Sequence, residues 1–294
     1  MGLSTCLTLA LETFQMPTRF QPINLLETDR LRSVRVVLTD IDDTLTHDGK
    51  LPAIAYSALE KLQNAGFIIV PVTGRPGGWC DHIARMWPID GIVGENGALY
   101  FRHDGAKGKL IRAFWKSAEA RIKDRHKLDK IRNEVLATIP GSALASDQPY
   151  RDADLAIDFR EDVPPLAIED IDRIVDIFQT HGAEAKISSI HVNGWFGDYN
   201  KLAMTRRMLS NEFGIDIDAV NQSIVFLGDS PNDDPMFEFF ELSIGVANIM
   251  DFRDRLNTGP AFVTKGGGGT GFAEFAELLL AAKNVKDDPS TGID

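Results

Sequence analysis

Two short apolar runs, each delivering the chain straight into a knot of acidic residues, constrain the fold more than any other feature. Residues 34–38 lead to Asp40-Ile41-Asp42-Asp43-Thr44-Leu45-Thr46, and residues 224–227 lead to Gly228-Asp229-Ser230-Pro231-Asn232-Asp233-Asp234. Runs of this length read as buried strands of an open α/β sheet. Such sheets bind ligands beyond the carboxyl ends of their strands. Carboxylates crowded in one loop repel one another; taken alone, the first cluster reads equally well as an acidic turn capping a helix. Two such loops at one sheet edge make a hard-cation site instead, and their oxygen inventory suits Mg²⁺ better than zinc. Cys6 and Cys80, the two cysteines, are too few for a disulfide framework or a cysteine metal cluster.

The 294 residues are about twice the usual ~150-residue domain length, which predicts two domains or one domain with a large insertion. After the first strand, Ala55, Ala58, Leu59 and Leu62 recur at helical spacing over 52–65 and stop at Gly66. A strand over 67–72, a short helix on Trp79, Ile83 and Met86, and a strand over 91–93 follow, giving βαβαβ. The middle reads as a separate α+β unit, with helices over 115–138 and 168–178 and strands over 155–159 and 185–192. The first texture then resumes with a helix over 201–213, strands over 224–227, 242–246 and 261–263, and a helix over 270–282. The architecture this predicts is α/β, a Rossmann-like open parallel sheet from 34–108 and 200–283 interrupted by an α+β cap over 109–199. Residues 1–33 are expected to be an N-terminal tail, with Met16 an alternative start, and 284–294 a C-terminal tail. The apolar run over 3–11 makes a weak export signal, because Glu12 interrupts it and the first basic residue is Arg19.

Charge narrows the partners. With 31 Lys and Arg against 43 Asp and Glu the net charge is −12, a sign that repels nucleic-acid backbones and anionic lipid. No nucleic-acid or membrane partner is expected, and the cytoplasm is the expected setting. The basic residues of 115–138 are interspersed with Glu119, Asp124, Asp129 and Glu134, the pattern of a solvated helix face. Between the acidic loops lie Thr73-Gly74-Arg75, just after an apolar run, and Lys201 at a helix start. A hydroxyl, a free backbone amide and an ammonium are what a phosphate needs.

Asp40-x-Asp42-x-Thr44, Thr73, an isolated Lys201 and Gly228-Asp229-x-x-Asn232-Asp233 together resemble, in order, the four motifs of the haloacid dehalogenase superfamily of phosphohydrolases. The resemblance spans about residues 34–283. The insertion between the second and third motifs, with Glu95-Asn96-Gly97-Ala98 and Thr73-Gly74-Arg75, is similar to the subgroup with a large α/β cap, which includes Cof-like and sucrose-phosphate phosphatases. Asp43 is a departure, since most members carry glycine there. The resemblance implies that Asp40 is the nucleophile and Asp42 the general acid and base, with Thr44 orienting Asp42. Thr73, Gly74 and Lys201 would bind the phosphoryl oxygens. Asp40 and Asp229 would ligate Mg²⁺ with the carbonyl of Asp42. Asp233 would complete the metal site, Asn232 would support it or the phosphate, and Arg75 would play a supporting role.

The cap should choose the leaving group, through Lys186, Ser188, His191 and Asn193 on the strand returning to the core. Each has a plainer reading: a solvated lysine, a histidine bonded to a neighbour, an Asn-Gly turn. The function expected is a Mg²⁺-dependent phosphatase of a small phosphorylated metabolite, a sugar phosphate being the expected class. A sugar phosphomutase of the phosphomannomutase type and a non-catalytic binding protein are the alternatives.

Overall fold

The computed structural model describes residues 19–284, so Cys6, Met16 and the 3–11 run lie outside the described residues. The apolar runs form one six-stranded, all-parallel sheet. Across it follow β1 (Gln21–Pro22), β13 (Phe262–Val263), β12 (Leu242–Gly245), β11 (Ile224–Gly228), β2 (Val36–Thr39) and β3 (Ile68–Pro71). Period-two alternation sends neighbouring side chains to opposite faces. Val37, Ile69 and Val225 meet Leu59 and Leu62 of α2 (Ala53–Asn64), Ile83 of α3 (Gly77–Met86) and Phe272 and Phe275 of α8 (Gly268–Asn284). Val36, Leu38 and Phe226 meet Met204 and Met208 of α6 (Lys201–Phe213) and Phe237 of α7 (Asp234–Phe239). With both faces covered, the carboxyl ends of the strands are left as the open edge. There β2 runs into Asp40, β11 into Asp229, and β3 toward Thr73.

An antiparallel sheet of β4 (Ile92–Gly94), β5 (Leu99–Asp104) and β6 (Lys109–Phe114) continues from this edge, bridged in parallel at Val72 and Val93. The β5–β6 hairpin pairs Leu99 with Phe114 and Asp104 with Lys109, so a boundary between 108 and 109 falls within one supersecondary unit. Charged residues scattered through both strands hide their alternation.

The insertion holds α4 (Ala118–Thr138), β7 (Ala143–Leu144), β8 (Leu155–Asp158), α5 (Ile168–Thr180), β9 (Glu184–Ile187) and β10 (His191–Trp195), its antiparallel sheet ordered β7-β8-β10-β9. Ile131, Val135, Ile174 and Phe178 of the helices bury Leu155, Ile157 and Val192 on one face. His191 and Asn193 point from the other face toward the acidic loops. The single strand expected over 185–192 is two strands. Ser188 breaks it: its Oγ accepts the N–H of Ile190 at 3.4 Å and of His191 at 3.0 Å, closing a tight turn.

Residues 19–33, expected to be a tail, belong to the fold. β1 pairs with the sheet edge, Arg19 Nη1 donates to the carbonyls of Phe237 (3.1 Å) and Gly259 (3.2 Å), and α1 (Thr28–Ser33) buries Leu31. Ile23 and Leu26 complete the contact with the core. These apolar residues are few and irregularly spaced, with exposed Leu25 among them, and so form no pattern that periodicity detects. Ile23→Ala should lower unfolding free energy by about 2–4 kcal/mol, the usual loss for a buried isoleucine. Urea denaturation reads this directly; an unchanged midpoint would mean that the segment docks outside the cooperative unit.

Candidate active site

The two acidic loops are held together by one ammonium. Lys201 Nζ donates to Asp40 Oδ1 and to Asp233 Oδ1, both at 2.7 Å, and all three groups are buried. A lysine in the first turn of a helix opposes the helix dipole, so the position is set by the carboxylates it meets. Asn200 caps that helix, its Oδ1 accepting the Ala203 N–H at 2.8 Å. Asp233 Oδ2 in turn accepts the N–H groups of Asp229 (3.1 Å) and Ser230 (3.4 Å). Asp229 Oδ1 accepts from the Thr44 hydroxyl at 3.0 Å, and its Oδ2 faces Asn248 Nδ2 at 3.4 Å. Thr44, expected to orient Asp42, therefore serves Asp229.

Asp40, Asp229 and Asp233 bring one carboxylate oxygen each within 4.8 Å of one another. Burial pushes Asp40 up to about 8 despite Lys201, with Asp233 and Asp42 adding to the rise. Burial, then Asp40 and Asp233, lift Asp229 well above the usual carboxylate range. Lys201 keeps its proton: burial opposes the charge, and the two carboxylates outweigh it.

Asp42 is not one of these three carboxylates. Arg75 Nε lies 2.9 and 3.0 Å from its two oxygens, so the side chain that meets Asp42 is this guanidinium and not the Thr44 hydroxyl. Arg75 also reaches the insertion, with Nη2 donating to Glu161 Oε1 at 2.9 Å and Nη1 lying 3.4 Å from Asp147. Its face lies over the Trp79 ring, 4.4 Å from the centroid. Glu161 continues the chain to His191, whose Nε2 lies 2.9 Å from Oε2, at an angle unsuited to a well-formed hydrogen bond. A second bridge runs beside it: Arg151, paired with Asp147 and Asp154, donates to the Gly74 carbonyl at 2.8 Å.

Between the acidic loops and the insertion lies a cavity of about 10 Å³, lined by Asp40, Asp42, Gly74, Arg75, His191 and Asn193 among others. That is room for about one water. Ser188 also lines it, but its hydroxyl is committed to the hairpin turn and donates to the His191 carbonyl at 3.0 Å. Asn193 donates to Asp154 at 3.2 Å. Lys186 is exposed and borders a neighbouring cavity of about 30 Å³ with Lys201 and Asn232. Asn232 lines both cavities, its Oδ1 accepting from the Ser230 hydroxyl at 2.9 Å. Thr73 is fully buried and its Oγ1 accepts the Arg75 N–H at 3.0 Å, which leaves the hydroxyl hydrogen to donate. A cavity of about 670 Å³ lies outside α3 between Arg85, Arg112 and Tyr150, and holds none of the acidic-loop residues.

Asp43 has φ of 55°, in the left-handed region where glycine fits without strain and Asp is among the better-tolerated alternatives. Its carboxyl is raised by burial against a hydrogen bond from Ser189 of the insertion. Glu161, Arg151, Asn248 and Ser189 carried no motif by which the sequence could single them out.

Residues 37–137 match the family model of haloacid dehalogenase-like hydrolases. A Methanobrevibacter smithii phosphoglycolate phosphatase is 23% identical over 259 residues, covering 84% of this chain and 99% of that protein. A Thermoplasma acidophilum crystal structure superposes with a TM-score of 0.63 at 18% identity, over 84% of this chain and 98% of that one. The sucrose-phosphatase of Synechocystis, solved with sucrose and phosphate, gives 0.58 at 15% identity, over 84% and 98%. These structures share the fold.

Burial raises the Glu161 carboxyl, but His191 and Arg75 outweigh it and bring the group down to about 2. A carboxyl lowered on folding contributes stability above its unfolded pKa, and that contribution is lost as pH falls toward the folded value. The stability gap between the protein and Glu161→Gln should thus be full above pH ~5 and close toward pH ~2. Urea midpoints taken across that range check it; a gap independent of pH would mean that the carboxylate's charge is not what holds Arg75 and His191.

Proposed function

We propose that this haloacid dehalogenase-like hydrolase is a Mg²⁺-dependent phosphatase that releases inorganic phosphate from a small phosphorylated metabolite. The observation that carries the reading is the division between Asp40 and Asp42, neighbours in one loop held by different cations. Asp40 lies against Lys201, and Asp42 against Arg75. This difference in surroundings supports a reading in which one carboxylate attacks and the other moves a proton.

In this reading Asp40 attacks phosphorus, forming an aspartyl phosphate as the bond to the leaving oxygen breaks. Asp42 gives that oxygen a proton, then takes one from the water that attacks the same phosphorus. The phosphoryl–Asp40 bond breaks, releasing phosphate and restoring the carboxylate. The Thr73 hydroxyl, the Gly74 amide and Lys201 hold the phosphoryl oxygens, as charge spread over them requires.

The donor set fits a hard divalent cation. Three buried carboxylates lie together with the ammonium of Lys201 on only two of them, and burial with mutual repulsion holds Asp40 and Asp229 above their ordinary range, a strain that a cation relieves. Asp40 and Asp229 would hold Mg²⁺ with the main-chain oxygen of Asp42. Asp233 has both oxygens engaged by Lys201 and the loop amides, so it and Asn232 support the site. When bound, the ion would neutralise charge on Asp40 and the incoming phosphate.

The insertion supplies the leaving-group contacts, chiefly His191 and Asn193, with Lys186 at the rim. A cavity of about 10 Å³ admits no metabolite, so the insertion must swing away for entry. A sugar phosphate is the substrate class we favour, in the cytoplasm. Among the described residues no helix is long and apolar enough to cross a membrane. Since one relative is named for phosphoglycolate, a substrate panel should include it beside sugar phosphates.

Phosphate release from that panel should need Mg²⁺ and vanish in excess chelator. Asp40→Asn and Asp229→Ala should each lower kcat by roughly 10³-fold or more, as loss of a reacting unit does. With p-nitrophenyl phosphate, Asp42→Asn should still phosphorylate Asp40 but hydrolyse it slower by about 10²–10⁴. Quenched intact-mass spectra should then show one added phosphoryl group. Turnover by Asp40→Asn, or undiminished activity in chelator, would reject the mechanism.

A further inference from the structure

The turn at Glu95 and Asn96 is backbone strain set against the site. Both residues have positive φ, 46° and 54°, and both are buried. Main-chain bonds fix them there: Glu95 N–H donates to the Arg75 carbonyl at 3.0 Å and Asn96 N–H to the Thr73 carbonyl at 3.1 Å. On the far side, Gly97 lies so close to the start of α6 that a Cβ would stand 2.1 Å from the Asn200 carbonyl oxygen. The turn is therefore wedged between Thr73-Gly74 and Lys201, the two segments assigned to the phosphoryl oxygens.

The Asn96 side chain fills the space between them. Its amide lies along Gly74, where a Cβ would meet Nδ2 and Oδ1 at 3.2 Å. It borders the cavity of about 30 Å³ shared with Lys201 and Asn232. Among the described residues, the buried side-chain polar atoms without a hydrogen bond are Asn96 Nδ2 and His191 Nε2. His191 still has the Glu161 carboxylate beside it at 2.9 Å, which leaves the Asn96 amide as the unmatched donor. A buried donor without an acceptor is costly. The cost is met when a ligand brings the acceptor.

We infer that Asn96 Nδ2 donates to a phosphoryl oxygen of the substrate, a binding contact beside Thr73, Gly74 and Lys201. The inference rests on the phosphatase reading, and its test reads phosphate binding rather than turnover, so that the two can fail separately. The competing explanation is that Asn is present only because it tolerates left-handed backbone. Two variants separate these. Asn96→Gly keeps the left-handed turn and removes the amide; Asn96→Asp keeps shape and backbone tolerance and replaces the donor by a carboxylate oxygen.

Inorganic phosphate is titrated calorimetrically in Mg²⁺, with thermal unfolding of each variant in parallel and p-nitrophenyl phosphate turnover alongside. Losing a hydrogen bond to a charged oxygen should weaken phosphate binding by Asn96→Gly by roughly 10- to 100-fold. Asn96→Asp should bind more weakly still, through repulsion of the anion, while both stay folded. Phosphate affinity of Asn96→Gly within about twofold of the unaltered protein, too little for such a bond, would overturn the inference and leave the backbone explanation. An unaltered protein that binds phosphate yet hydrolyses nothing would overturn the phosphatase reading alone, with Asn96 judged on the affinities. One that binds no phosphate would overturn both.

Discussion

The buried ammonium of Lys201 is the interaction on which the rest of the site depends. With Nζ 2.7 Å from both Asp40 and Asp233, it ties the loop after β2 to the loop after β11 and to the start of α6. Breaking a buried pair by removing one partner typically costs about 3–5 kcal/mol, because the other charge is left without compensation. Here the consequence spreads. Asp233 organises the main chain of Asp229 and Ser230, Asp229 receives Thr44, and Thr44 belongs to the loop that carries Asp40. Each loop's geometry is thus closed through the others, and the lysine is the positive charge at the centre.

Glu95 plays a comparable part between the core and the insertion. Its carboxyl accepts the N–H groups of Gly77 (2.8 Å), Asp152 (2.8 Å), Ala153 (2.6 Å) and Asp154 (3.2 Å). Burial pushes that carboxyl up to about 7, with Asp154 adding to the rise and these amides opposing it. Together with the Arg151 contact to Gly74, the clamp fixes the 151–154 segment against the edge where Thr73 emerges. The insertion is thereby anchored next to the site.

The α/β fold was legible because its signals are local. Strands β2, β3, β11 and β12 are short apolar runs, and α6 begins at Lys201 where the pattern places it. What eluded sequence reading is set by contacts distant along the chain. Ser188 carries no mark that it will use its hydroxyl to fold one strand into two. Glu161 meets Arg75 86 positions away, and Asn248 meets Asp43 across 205; neither pairing has a local signature. The acidic loops and Lys201 could be named as candidates from residue type and spacing, but not the division of cations between Asp40 and Asp42. That division depends on which side chains face which, and hence on tertiary packing. Asp43 is the converse case. Its left-handed φ explains why glycine suits the position, a fact about backbone that composition does not carry.

Arg75 links Asp42 to the insertion. Its contacts to Asp42 lie within the core, whereas those to Glu161 and Asp147 cross to the insertion. The core pair needs no part of the insertion, and the crossing pairs are added to it from Glu161 and Asp147. The Trp79 ring under the guanidinium belongs to α3, so its support comes from the core too. Asp42 therefore has a partner held wholly by the core, while Glu161 of the insertion takes another nitrogen of the same guanidinium. The ion pairs between core and insertion thus converge on the guanidinium that also holds Asp42, so the packing of the insertion and the setting of that carboxylate meet at one side chain.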